Sequence, residues 1–153
     1  MRQIRRKDRE MPASEAEALL VRGEYGILST VDAHGQPYAV PLSFAYRDKR
    51  IYFHCALEGH KIENLENNPR VCFCVVGQTR VLAEQFATEY ESALAFGLAT
   101  EARGQERREA LLWLLEKYSP GFIEEGEHYI EKLDKATKVI RIDVQQISGK
   151  ARR

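Results

Sequence analysis

The chain has no surplus of charge, no apolar run long enough to cross a bilayer and little sulfur. Its 153 residues carry 23 Lys plus Arg against 23 Asp plus Glu, a formal net charge of zero. That balance argues against a nucleic-acid partner, because phosphate backbones select basic surfaces. A membrane helix needs roughly 20 consecutive apolar residues, so no membrane partner is expected. The opening residues also lack an apolar signal core, which predicts a cytoplasmic protein. Three cysteines, Cys55, Cys72 and Cys74, make an odd set, read as free thiols in a reducing compartment. Nothing has the ligand number and spacing of a metal centre, and none is expected. Repeats and low-complexity tracts are missing too. What is present suits one domain over residues 1–153, with enough apolar residues to bury a core.

Arg2, Arg5, Arg6, Lys7 and Arg9 crowd the N-terminus and read as a solvated, partly mobile tail. A helix is predicted over Met11–Gly23, with Ser14 and Glu17 as a capping box and Gly23 as its stop. The apolar run Tyr25–Val31 is a strand, closed by the turn signal Asp32-Ala33-His34-Gly35. Pro37–Tyr46 alternates. Tyr38, Val40, Leu42, Phe44 and Tyr46 form a large face, and Ala39, Pro41, Ser43 and Ala45 a small one. After the loop Arg47–Arg50, Ile51–Cys55 is the return strand. A short helix spans His60–Glu66, and Val71–Val76 is the next strand. Gly77–Glu89 is read as a possible continuation of the sheet. Tyr90–Ala102 is a long strand whose small face (Ala93, Ala95, Gly97, Ala99) opposes Leu94, Phe96 and Leu98. Helices over Gln105–Tyr118 and Ile123–Leu133 precede a final strand, Lys138–Ile147. This order predicts an α+β, mainly β, fold: an antiparallel barrel with peripheral helices.

The chemistry concentrates between Gly35 and Asn68. Gly59 lets a backbone approach a ligand closely. His60 and Lys61 then add donors and charge at a helix N-terminus, where unpaired N–H groups and the dipole favour an anion. The same tripeptide also suits a plain helix start with a solvated Lys. Pro41 has no N–H to give a ladder, so it marks a rim, a bulge or a place where something other than a strand lies alongside. A planar ring would fit there. His54 ends the return strand on the face opposite Phe53 and Cys55, placed either for structure or for proton exchange near neutral pH.

At these residues the sequence resembles the pyridoxamine-phosphate-oxidase-like flavin proteins with a split β-barrel, nearest their nitroimidazole-resistance-type branch. The likeness runs through Arg5-Arg6-Lys7-Asp8-Arg9-Glu10, Gly26-Ile27-Leu28-Ser29-Thr30, Pro37–Phe44, Tyr52-Phe53-His54, Gly59-His60-Lys61, Tyr90-Glu91-Ser92 with Phe96-Gly97, and Ile147-Ser148-Gly149-Lys150. It implies a homodimer with FMN in a groove between subunits. Val40, Pro41, Leu42 and Ser43 would run beside the ring system. Phe53 and His54 would contact it, His60 and Lys61 would hold its phosphate, and Ser92 would lie near it. His54 is the residue the likeness singles out for reactivity. The chain departs from the oxidases that name the family: it lacks their Arg-rich phosphate grip and their C-terminal substrate segment. The expected function is therefore an FMN-dependent oxidoreductase, nitroreductase-like, moving electrons from a small-molecule donor to a small planar acceptor. A non-catalytic flavin carrier or sensor and a haem-binding split barrel are the alternatives.

Overall fold

A computed structural model describes residues 2–153. Seven strands build one sheet: β1 (Gly26–Val31), β2 (Pro37–Leu42), β3 (Ala45–Arg47), β4 (Arg50–Ala56), β5 (Arg70–Leu82), β6 (Ala87–Ala102) and β7 (Thr137–Arg152). The described residues also form helices α1 (Ala13–Arg22), α2 (His60–Asn67), α3 (Gly104–Tyr118) and α4 (Ile123–Leu133). Neighbouring strands are antiparallel throughout, in the order β2-β1-β5-β6-β7-β4-β3. That order puts β2 and β3 on opposite rims, yet only Ser43 and Phe44 join them. Three peptide steps span at most about 10 Å, so the sheet must curl until its rims approach. The result is the antiparallel split β-barrel with peripheral helices that the sequence predicts.

Residues paired across antiparallel strands share a face. The row Val40–Leu28–Phe73–Ala95–Ile147 points into the barrel, where Leu28, Phe73 and Ala95 are fully buried. Leu19 and Leu20 of α1 complete this core with Phe44 and Phe53. Because those large groups fill the barrel, β6 turns its small face inward: Ala93, Ala95, Gly97 and Ala99 are buried, and Leu94, Phe96 and Leu98 lie half-exposed outside. Ala16 approaches β7 so closely that a Cβ at Gly149 would collide with it.

Three elements differ from those the sequence suggests, and one suggested extension is present. The strand expected over Pro37–Tyr46 breaks at Ser43, where the chain crosses between rims. β5 does continue through Gly77, with a bulge between Val76 and Thr79, and projects as an arm that ends at Phe86, 98% exposed. β7 runs on to Arg152 and pairs with Tyr90–Ser92. The Ser14–Glu17 capping box does not form, because α1 starts after Pro12 and Ser14 already lies inside it. Beyond the basic residues, Glu10 bridges to Lys150, and the Met11 N–H donates to the Gly149 carbonyl at 2.9 Å. A second cluster, Tyr52, Ala102, Ala110, Leu111 and Val139 with Trp113 and Ile130, seats α3 and α4 outside the barrel as a canopy. No helix among the described residues is long and apolar enough to cross a membrane.

Candidate functional site: a cavity and an open rim

β4 has two working faces. Ile51 and Phe53 point into the barrel core, while Tyr52 and His54 point under the canopy. Tyr52 is closed over by Trp113, with ring centroids 5.3 Å apart. Two residues further on, the canopy stands away from the strand and leaves a cavity of about 660 Å³. Its walls are Leu111, Leu114 and Leu115 of α3 with Ile130 and Leu133 of α4. Ser43, His54 and Thr137 supply its polar edge. Water reaches the His54 ring, but the crowded walls disfavour charge, so burial pushes its pKa below the ordinary value. That shift favours the neutral imidazole.

Two devices hold the cavity's shape. Arg107 pairs with the Asp134 carboxylate and donates to the carbonyls of Asp134 and Thr137, at 2.9 and 3.0 Å, closing the turn between α4 and β7. At the other end, the last turn of α3 grips the rim crossing. Lys117 Nζ donates to the Phe44 carbonyl at 2.9 Å and lies 3.8 Å from the Phe44 ring centroid. The Tyr118 hydroxyl accepts from the Phe44 N–H at 3.0 Å and donates to the Glu24 carbonyl at 2.6 Å. Desolvation lowers the Lys117 amine to about 8.

The second feature is the rim at β2. Ala39, Pro41 and Ser43 are exposed, and Val40 and Leu42 pack inward against the core. Gly59 has φ +141° with open space where a Cβ would stand, a conformation that favours glycine. α2 begins immediately afterwards. Asn64 anchors it through a buried 2.9 Å hydrogen bond to the Thr30 hydroxyl of β1. The His60 ring lies over Tyr38, centroids 4.0 Å apart. Lys61 acts on the Cys55 thiol electrostatically, and no ion pair among the described residues engages it.

The structure thus brings Ser43 and His54 to one cavity, and His60 and Lys61 to the neighbouring turn, outside that cavity's lining. Phe53 is fully enclosed in the core, so only its main chain could meet a ligand. Ser92 stands on β6, three strands from β2. At about 4.8 Å per strand, roughly 14 Å of sheet separates them. The α3–α4 canopy and Tyr118 were not legible as site parts. The apolar stripe of α3 reads as ordinary core, and only the tertiary gap reveals otherwise.

Such a fold and site define a small split barrel with a ligand cavity at its rim. The family model described as pyridoxamine 5'-phosphate oxidase matches residues 12–151, and the chain belongs to that family. Among curated proteins, a 5a,11a-dehydrotetracycline/5a,11a-dehydrooxytetracycline reductase of Streptomyces rimosus is 37% identical over 70 residues, 42% of this chain and 49% of that protein. The match spans about half the length of that relative. Among solved structures, a putative 5-nitroimidazole antibiotic resistance protein of Bacteroides thetaiotaomicron superposes with a TM-score of 0.74 at 24% identity, over 93% of this chain and 86% of that one. An FAD-binding protein of Mesorhizobium loti superposes with a TM-score of 0.68 at 25% identity, over 95% and 98% of the two chains.

Proposed function

We propose that the protein binds FMN and works as a flavin-dependent oxidoreductase on a planar acceptor, in the cytoplasm and as a homodimer. The observation that carries this reading is the adjacency of an open, proline-bearing rim, an unpaired cation at the Gly59 turn and the His54 cavity. The residues present fit a phosphorylated planar group. Lys61 and His60 would hold the phosphate, and the β2 main chain at Val40, Pro41, Leu42 and Ser43 would lie along the ring system. Bound FMN supplies hydride chemistry between a reduced donor and an oxidised acceptor. The chain's own part is to exclude water, orient the acceptor at Ser43 and favour the neutral form of His54, which would accept a proton or donate a hydrogen bond to the acceptor. Ser92 would serve the partner's site. The half-exposed outward row of Ile27, Cys74 and Leu94 supports a second subunit there.

The test is the absorbance spectrum of the purified protein, followed by mass spectrometry of what denaturation releases. Flavin bands and FMN are expected. A Soret band would select the haem alternative, and bound FMN without turnover would leave a carrier. His54→Ala should lower turnover while flavin retention stays unchanged. Lys61→Ala should release the flavin, and full retention would refute the phosphate assignment.

A further inference from the structure

We infer that the compound held in the His54 cavity is an uncharged, fused-ring aromatic molecule, and that phosphorylated single-ring compounds are turned away from it. The inference rests on the reading of this cavity as the acceptor's site.

Size is the first observation. A cavity of about 660 Å³ falls in the range of roughly 300–1,000 Å³ that encloses drug-sized ligands. A lone five- or six-membered ring would leave most of the walls without contact, and uncontacted apolar walls lose dispersion and burial.

Charge is the second. The one guanidinium in the lining, Arg107, is already committed to the Asp134 carboxylate and two carbonyls. Burial beside the apolar walls disfavours the charged form of His54. An entering phosphate would shed its hydration and meet no free cation, a steep penalty. Lys61, which no ion pair among the described residues engages, lies outside the lining.

The third is how polarity is distributed. The Tyr118 hydroxyl is turned away to the main chain of Phe44 and Glu24, so its ring remains as an apolar plate. Ser43 and His54 bring polar groups from the barrel side, Ser119 and Tyr129 bring hydroxyls from the canopy side, and none of these carries charge comparable to a free cation. Such a cavity holds a flat hydrocarbon body and orients a carbonyl or hydroxyl at its edge. Gly126 lets α4 close onto Leu115, whose side chain fills the space a Cβ there would take.

Equilibrium dialysis of the full chain, flavin-loaded and flavin-stripped, tests this with three probes: menadione, pyridoxamine 5'-phosphate and 2-methyl-5-nitroimidazole. Menadione should be retained by both preparations and at least about tenfold more tightly than the other two. Ile130→Trp and Leu133→Trp, at partly exposed positions of α4 that a folded chain tolerates, should each weaken menadione about tenfold or more. Ile130→Leu should not. Tighter retention of pyridoxamine 5'-phosphate, equal retention of the nitroimidazole, or indifference to both tryptophans would overturn the inference. Menadione retention by a chain that refuses FMN would uphold it while removing the flavin reading.

Discussion

The two faces of β4 solve opposite packing problems with one alternating sequence. Toward the barrel, Ile51 and Phe53 are enclosed without residual exposure. Toward the canopy, Tyr52 is sealed, but His54 opens into the cavity. The difference lies in what covers each face. The barrel side is closed by strands tied in ladders and by α1 packed on them. The canopy side is covered by α3, which buries Ala110, Leu111 and Leu114, and by α4, which buries no residue fully. Stability and room for a ligand are thus separated by the thickness of one strand.

The contrast breaks most plainly under truncation. Phe53→Ala should cost about 3–5 kcal/mol, as expected for a large side chain removed from a closed core. Ile130→Ala, in the canopy, should cost no more than about 1 kcal/mol. Urea unfolding of both variants decides the matter, and equal losses would mean that the canopy is as well packed as the barrel. Next in size is Asn64→Ala, which strands the buried Thr30 hydroxyl and should cost about 1–3 kcal/mol. If α2 seats the phosphate, flavin retention should fall with it.

A smaller effect depends on pH. Lys117 has a folded value of about 8 against an ordinary 10.5. Between those values the unfolded chain binds the extra proton, so stability rises as pH increases through that window. Melting midpoints of the wild type should show this slope, and Lys117→Met should flatten it. An identical slope in both would place the Lys117 amine in solvent. The smallest change is expected at Gly126. An alanine there gains up to about 1 kcal/mol of helix propensity, but its Cβ would overlap the Leu115 side chain. The two should offset to within about 0.5 kcal/mol, and the mark of the substitution should be weaker menadione retention.

Where burial alternates or turns are chemically marked, the sequence reveals the fold. Tyr25–Val31, Ile51–Cys55 and Tyr90–Ala102 read correctly because one face of each packs on something. Gly77–Leu82 is legible only as a continuation of the preceding strand, because its arm is solvated on both faces and carries no periodic signal of its own. The extension of β7 to Arg152 is hidden for a related reason: Ser148-Gly149-Lys150 is polar or small, and it becomes strand only because β6 lies beside it. The Ser14–Glu17 pair misleads because Pro12 opens the helix earlier. Of the candidate site, residues close in sequence were legible as a group, including the Gly59 turn with His60 and Lys61. The cavity was not, because Ser43 and His54 acquire their walls from α3 and α4, more than fifty residues downstream.

The two-residue crossing at Ser43 and Phe44 carries a liability of its own. It is the staple that turns a long open ribbon into a barrel, and Lys117 and Tyr118 grip its main chain. A proteolytic nick at Ser43 would free both margins of the sheet together, baring unpaired amides onto which strands of other molecules can add. Fragments cut there should gather into β-rich aggregates, whereas a nick at the tip of the arm near Phe86 should leave the barrel intact.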